Sequence, residues 1–114
     1  MRLSEIARFV DHVGAMTSFY TKLLGKPPVH EGEGIAIFEQ NGVSLLLHRV
    51  YTLGPGELPC EDHIAFAVKN LEQAISELET QGLQVEISPR DYDWGRSAYL
   101  RDPSGRLVEI SEES

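Results

Sequence analysis

The sequence predicts an α+β fold made of two similar halves, each with the order strand, helix, strand, strand, strand. One segment in each half carries apolar residues at steps of three and four, which is the spacing of one helical face. Short apolar or alternating runs lie before and after each of these segments, and such runs are typical of strands. Sliding one half over the other by 58 positions places Glu5 on His63 and Ala7 on Ala65, which indicates an internal duplication.

The first half begins with a predicted strand at residues 5–10. A helix follows, because apolar residues recur on one face at Val13, Met16, Phe19, Tyr20, Leu23 and Leu24, and we expect Phe19 and Tyr20 in the core. Gly25 can adopt the left-handed conformation that ends a helix, and the prolines at 27 and 28 cannot continue one. Strands are then predicted at residues 29–31, 35–39 and 43–48, the last two joined by an Asn41-Gly42 turn.

The second half repeats this order after a connector at residues 51–61, which is rich in glycine and proline: Gly54, Pro55, Gly56 and Pro59. A strand is predicted at 63–68, followed by a helix that begins at an Asn70 cap, has Leu71, Ala74, Ile75 and Leu78 on one face, and ends at Gly82. We then expect a strand at 83–87, a loop at 89–94, and a hairpin of strands 96–101 and 106–110 around a turn at 102–105. The chain is thus expected to be one domain over 1–114, with module one at about 1–50 and module two at 62–114.

Composition excludes some classes of function. The chain of 114 residues carries a formal net charge of −8, whereas proteins that bind nucleic acid present a basic face. No apolar run is long enough to span a bilayer, and the N-terminus lacks the apolar core of a secretion signal. Cys60 is the only cysteine, so no intrachain disulfide can form. We therefore expect a cytoplasmic protein without a nucleic-acid or membrane partner.

Side-chain alternation along the strands predicts a face on which functional groups converge. Ile64, Phe66 and Val68 form an apolar row that should face the second helix, so His63, Ala65 and Ala67 should point away from it. On the last strand, Leu107 and Glu109 take this open face. A turn of four residues at 102–105 would place Ala98 opposite Glu109 and add Arg96 and Leu100 to the same face. The first half contributes Glu5, Ala7 and Phe9 by the same alternation. We predict that His63 and Glu109 meet there as half of a metal site.

Three segments carry a family resemblance: residues 19–25 (FYTKLLG), 62–68 (DHIAFAV) and 102–109 (DPSGRLVE). With these segments the whole chain resembles the vicinal oxygen chelate superfamily, which includes glyoxalase I, fosfomycin- and bleomycin-resistance proteins and extradiol dioxygenases. The resemblance implies two βαβββ modules, curved mixed sheets around a cavity, a homodimer for a chain of this length, and metal ligands from the first and last strands of each module. The four ligand positions fall on Glu5, Leu46, His63 and Glu109. Leu46 cannot coordinate a metal, but His48 would replace it if the strand slid or bulged by two residues.

The resemblance implies a metal-dependent lyase or isomerase of the glyoxalase kind as the leading interpretation. A divalent ion (Zn, Ni, Mn or Fe) would chelate two oxygens of a small substrate, and Glu5 or Glu109 would move the proton. Residues that line the expected pocket are Ala7, Phe9, Arg96 and Ala98, and the candidates for substrate contact are Phe9, Tyr92, Trp94 and Arg96.

Other interpretations stay open. One is a metal-free drug- or metabolite-binding protein of the bleomycin-resistance kind, which Leu46 at a ligand position favours. Another is an extradiol-type dioxygenase, although such enzymes use two histidines and one carboxylate. His63 and Glu109 could also form a structural ion pair in a domain without catalytic activity, with Glu5 and His48 exposed and Arg96 paired to an acidic residue.

Overall fold

The computed structural model describes residues 1–51 and 60–113, and they form eight strands and two helices. The chain order is β1 (Arg2–Val10), α1 (Val13–Leu24), β2 (His30–Gly32), β3 (Ile35–Gln40), β4 (Val43–Arg49), β5 (His63–Val68), α2 (Leu71–Thr80), β6 (Val85–Tyr92), β7 (Gly95–Arg101) and β8 (Leu107–Glu112). This order confirms the α+β class and the repeated strand, helix, strand, strand, strand pattern. The glycine- and proline-rich part of the predicted connector, residues 52–59, lies outside the described residues. Neither α1 nor α2, the two helices of the described residues, has the length and apolar character that a membrane span requires.

The chain forms two compact units, each of which contains one copy of the pattern. The first unit is Glu5–Asp62, with strand order β2-β3-β4-β1, and its β1 and β4 run parallel. The second unit consists of Met1–Ser4 and the chain from His63 onward, with strand order β5-β8-β7-β6, and its β5 and β8 run parallel. The other neighbouring strands within each unit are antiparallel.

The core of the first unit lies between α1 and its sheet. Buried Ala36, Phe38 and Leu47 pack against one face of α1: Val13, Met16, Tyr20 and Leu24. Most of the predicted helical face is therefore confirmed. Phe19 and Leu23 are corrections, because their side chains are 57% and 64% exposed. They form a second row along the helix, beside the row that contacts the sheet.

Two turns in this unit form as their sequences indicate. Gly25 ends α1 with a φ of 73°, and its N–H donates to the Thr21 carbonyl. Asn41 and Gly42 both have positive φ, 51° and 84°, as a type I′ hairpin turn between β3 and β4 requires.

The core of the second unit joins α2 to β7 and β8. Leu71 and Ile75 of the helix pack with Ala98, Leu100 and Ile110 of the sheet. Asn70 caps α2, since its Oδ1 accepts the Gln73 N–H at 3.0 Å, as predicted. Phe66 and Val68 contact this core, also as predicted.

The antiparallel pairing of β7 with β8 differs from the predicted register by one residue. Tyr99, and not Ala98, lies opposite Glu109. The turn contains five residues because the Asp102 carboxylate accepts the N–H groups of both Ser104 and Arg106, each at 2.9 Å. A shift of one residue moves every side chain of a strand to the other face. The expected positions of Arg96, Ala98 and Leu100 on the open face are therefore wrong.

The predicted loop at 89–94 is also a correction, because β6 continues to Tyr92. Irregular pairing with β7 between Val85 and Arg90 accommodates this longer strand. Pro89 is tolerated because β6 is the last strand of the unit's sheet, where a missing N–H donor breaks no ladder on its outer side.

Candidate functional site

An imidazole and a carboxylate meet on the open face of the second unit. His63 is the first residue of β5, and Glu109 lies opposite Ala65 in the parallel pairing of β5 with β8. His63 Nε2 and Glu109 Oε1 are 3.0 Å apart, and the two side chains are only 8% and 7% exposed. Two groups separated by 46 residues are thus brought into contact by one parallel strand pair.

Ser97 holds the other oxygen of the same carboxylate. Its Oγ donates a hydrogen bond to Glu109 Oε2 at 2.8 Å, and the residue is 1% exposed. A carboxylate that is almost buried needs such partners, because its desolvation is otherwise costly. The sequence reasoning missed Ser97, since the predicted register placed it on the helix side of β7.

A series of aromatic rings extends from this pair toward solvent. Tyr99 lies opposite Glu109, and its ring meets the His63 ring edge-on at 6.0 Å. Tyr92 meets Tyr99 edge-on at 6.2 Å, and Trp94 stacks on Tyr92 at 4.5 Å with only 8° between the ring planes. We call Tyr99, Tyr92 and Trp94 the aromatic row. Trp94, its outer member, is 62% exposed, so its free face is open to a ligand.

The Tyr92 hydroxyl is the unusual group in this row. Its oxygen is buried, and it has no hydrogen-bond partner within the described residues. Burial raises the pKa of Tyr92, the guanidinium of Arg90 above its ring lowers it, and the negative charge of Glu109 raises it. The hydroxyl therefore stays protonated at neutral pH and can donate a hydrogen bond.

The first unit has a leucine where the second unit has Glu109. Leu46 lies opposite Ala7 in the parallel pairing of β1 with β4, just as Glu109 lies opposite Ala65. Leu46 and Glu109 therefore occupy matching places in the two parallel strand pairs. The pairing runs from Glu5 to Val10 without a break, so β4 has neither slid nor bulged to put a histidine at that place.

His48 therefore does not take the position that the sequence reasoning offered it. Its ring packs against Phe9 and Tyr51, with both centroid distances 5.5 Å, and its Nδ1 lies 2.8 Å from the Arg49 carbonyl oxygen. Phe9, a predicted substrate contact, is part of the same aromatic cluster.

Arg96 points away from the open face of its unit. Its guanidinium forms ion pairs with Glu72 on α2 and with Asp91, the latter at 3.2 Å. Arg96 is therefore paired with acidic residues, which was the alternative to a role in substrate contact. Glu5, the remaining predicted ligand, lies on β1 opposite Ser44.

His63 and Glu109 fit a divalent cation by their chemistry. They offer one nitrogen and one oxygen donor at a single point, which suits hard and borderline ions. The Ser97 hydrogen bond to the second carboxylate oxygen is the kind of outer contact that orients metal ligands. The residues present are therefore able to hold such an ion.

Known proteins share this architecture. The sequence model of the Glyoxalase/Bleomycin resistance protein/Dioxygenase superfamily matches residues 2–110. A superfamily member from Vibrio splendidus 12B01 is 15% identical, with a TM-score of 0.71 and 98% of each chain covered. A hypothetical protein from Bacillus halodurans C-125 is 23% identical, with a TM-score of 0.77 and coverage of 99% of this chain and 94% of that one. Methylmalonyl-CoA epimerase from Mycobacterium tuberculosis is 21% identical, with a TM-score of 0.73 and coverage of 99% and 88%. At these identities the structures show a shared fold, and the match over residues 2–110 shows that the chain belongs to the glyoxalase/bleomycin resistance protein/dioxygenase superfamily.

Proposed function

We propose that this protein is a metal-dependent enzyme that moves a proton on a small substrate with two neighbouring oxygens, in the manner of a glyoxalase-like lyase or isomerase. The contact between His63 Nε2 and Glu109 Oε1 carries the proposal, because it joins two metal-binding groups at one almost buried point. The bond from Ser97 to Glu109 supports it, since it fixes the carboxylate before any ligand arrives.

Glu5 is the proposed third ligand. It is the counterpart of His63 in the duplication, because Ala7 and Ala65 occupy matching places in the two parallel strand pairs. Its neighbour Ser4 donates a hydrogen bond to the carbonyl of Ala65, two residues beyond His63 on β5. In the proposal, Glu5 joins His63 and Glu109 as a ligand. One histidine and two carboxylates suit Zn²⁺, Mn²⁺, Fe²⁺ or Ni²⁺.

The chemistry follows from the groups in this set. A divalent ion, when bound, supplies Lewis-acid stabilisation for negative charge on two neighbouring substrate oxygens. In the proposal, Glu5 takes a proton from the carbon next to the substrate carbonyl when it is not engaged as a ligand, and it returns the proton to the adjacent carbon. Ser97 keeps the Glu109 carboxylate in one orientation, and the low exposure of His63 and Glu109 limits the access of water to them.

Proton exchange on a simple substrate tests this function. Protein purified without chelator is analysed for metal, loaded with Zn²⁺, and incubated with hydroxyacetone in D₂O. We expect loss of the carbon-bound proton signal by NMR in the wild type, and no exchange above background with His63→Ala or Glu109→Ala. Glu77→Ala is the matched control, because Glu77 lies exposed on α2 and its carboxylate accepts a hydrogen bond from the Gln73 side chain of the same helix. Equal exchange by all four proteins, or no uptake of metal at micromolar concentration, contradicts the proposal.

A metal-free ligand-binding protein is the second candidate, and one observation favours it. Leu46 stands where the second unit has Glu109, and its partner in β3 is the aliphatic Ile37, so the first unit offers an apolar surface there. In this case a cationic aromatic probe such as ethidium should bind equally well to the wild type and to the His63→Ala and Glu109→Ala variants. Loss of probe binding in these variants rejects the second candidate.

Ring cleavage of the extradiol type is not proposed, because the proposed ligands Glu5, His63 and Glu109 include one histidine where such enzymes use two. The expected homodimer stays a prediction, and sedimentation equilibrium will test it: a mass of twice 12.7 kDa supports it and a mass of 12.7 kDa rejects it.

A further inference from the structure

Burial of the Tyr92 hydroxyl is unfavourable for folding, and the contacts of the Tyr92 ring do not explain why a hydroxyl is present. Burying a hydroxyl without a hydrogen-bond partner destabilises the folded protein, because the hydroxyl loses its hydrogen bonds to water. A phenylalanine would fill the same space without that penalty. The ring of Tyr92 is already held on three sides, by Tyr99, Trp94 and the Arg90 guanidinium. None of these three contacts uses the hydroxyl oxygen, which has no partner within the described residues.

The position of this hydroxyl relates it to the candidate metal ligands. Tyr92 packs on Tyr99, which lies opposite Glu109 and against the His63 ring. Glu109 also contributes to the raised pKa of the Tyr92 hydroxyl. One ring, that of Tyr99, therefore separates the Tyr92 side chain from the candidate metal ligands, and its hydroxyl is a buried hydrogen-bond donor without a partner within the described residues.

We propose that the Tyr92 hydroxyl binds the substrate, donating a hydrogen bond to one of its two neighbouring oxygens, while the open face of Trp94 stacks on a planar substituent. This inference rests on the proposed function and narrows its substrate class to 2-hydroxy or 2-oxo carbonyl compounds that carry an aromatic or other flat group. Trp94 suits the second role because one face stacks on Tyr92 and 62% of the residue is exposed.

The protonation state of Tyr92 agrees with this role. Burial raises its pKa above the ordinary value of 10.0, so the hydroxyl keeps its proton across the neutral range. It is thus a donor toward an oxygen that gains negative charge, and the proton stays on the tyrosine.

Hydroxamates provide a direct probe, because they chelate a metal through two neighbouring oxygens and come with or without a ring. Zn²⁺-loaded wild type, Tyr92→Phe and Trp94→Ala are titrated with acetohydroxamate and benzohydroxamate by calorimetry. We expect Tyr92→Phe to weaken both ligands about tenfold, as the loss of one hydrogen bond implies. Trp94→Ala should weaken benzohydroxamate about fivefold and leave acetohydroxamate unchanged. Tyr20→Phe, which changes a tyrosine packed in the core of the first unit, is the matched control and should change neither.

Two further measurements separate this inference from the proposed function. Zn²⁺ affinity should be the same in Tyr92→Phe and the wild type, and the melting temperature of Tyr92→Phe should be equal or higher. Equal hydroxamate binding in both proteins overturns the role of Tyr92 and leaves the metal site standing. A lower melting temperature also overturns it, because the hydroxyl would then have a structural partner. Failure of the wild type to bind Zn²⁺ overturns the proposed function and this inference with it.

Discussion

The two units share one pattern of strands and one helix, but they differ at the positions around Glu109. In the second unit, Glu109 on β8 has Ser97 and Tyr99 of β7 as its polar neighbours on the same face. The matching positions of the first unit, found from the same strand pairings, are all aliphatic: Leu46, Ile35 and Ile37. A carboxylate and the serine that bonds to it are thus replaced together by residues that need no hydrogen bond.

This difference shows how two units with the same order of elements can carry a polar centre in one of them only. Burying a carboxylate is tolerated when its oxygens have partners, and burying a hydroxyl is tolerated for the same reason. Leucine at position 46 removes the need for a serine at position 35, and isoleucine there fits the apolar surroundings. The first unit presents an apolar surface at these positions.

The largest predicted effect on metal affinity comes from a substitution that makes the second unit resemble the first. Glu109→Leu should lower metal affinity by more than the roughly 100-fold that the loss of an outer partner can cost, because a ligand itself is removed. Glu109→Leu removes one partner of the buried His63–Glu109 pair and should therefore also destabilise the protein, so circular dichroism first establishes a temperature at which the variant is folded. Calorimetric titration with Zn²⁺ measures the affinity, and Glu77→Leu serves as the control. Unchanged affinity in Glu109→Leu contradicts a ligand role for Glu109.

Removing the serine alone gives the next largest effect. Ser97→Ala leaves Glu109 in place but frees its Oε2, so metal affinity should fall about 10- to 100-fold. Ser76→Ala is a suitable control, because Ser76 lies exposed on α2 and is not a proposed ligand. The same titration compares the two variants. An equal effect of both would mean that the Ser97 hydrogen bond has no special part in the site.

A smaller effect follows from making the first unit resemble the second. Leu46→Glu places a carboxylate opposite Ile37, whose side chain cannot donate a hydrogen bond, and should lower the free energy of unfolding of the metal-free protein by about 1 kcal/mol. Adding Ile35→Ser should recover about half of this loss, because the new hydroxyl can donate to the new carboxylate. Urea denaturation of the two single variants and the double variant measures this coupling. Strictly additive changes contradict it.

The smallest predicted effect concerns alkaline pH. The folded protein holds the Tyr92 proton more tightly than the unfolded chain, since burial raises the pKa of Tyr92 above 10.0. The stability that this group contributes is therefore complete below pH 10 and is lost as the pH rises through the folded-state pKa. Urea midpoints between pH 8 and pH 11 should fall further for the wild type than for Tyr92→Phe. Parallel curves for the two proteins contradict a raised pKa.

Local signals in the sequence were sufficient to predict most of the fold. Apolar spacing marked both helices, and Asn41-Gly42 and Asn70 marked a turn and a cap, because each of these features depends on residues close in the chain. The approach of His63 to Glu109 also followed from alternation within two strands.

The register of the last hairpin could not be read in the same way. The length of its turn depends on two hydrogen bonds accepted by the Asp102 side chain. The residue types in this segment suit a turn of four residues as well as a turn of five. This difference of one residue in the length of the turn decides whether Ser97 or Arg96 shares a face with Glu109. The unpaired hydroxyl of Tyr92 was equally beyond prediction, because it depends on the packing of β6 against β7.

The binding of a divalent ion by His63 and Glu109 is tested most directly at the imidazole itself. The protein has four histidines, so a long-range ¹H–¹⁵N NMR spectrum resolves their side-chain nitrogens, and His63→Ala identifies the signal of His63. One equivalent of Zn²⁺ should shift the Nε2 signal of His63 and leave those of His12, His30 and His48 in place. An unchanged His63 signal in the presence of bound Zn²⁺, or no binding at all, would contradict the metal site.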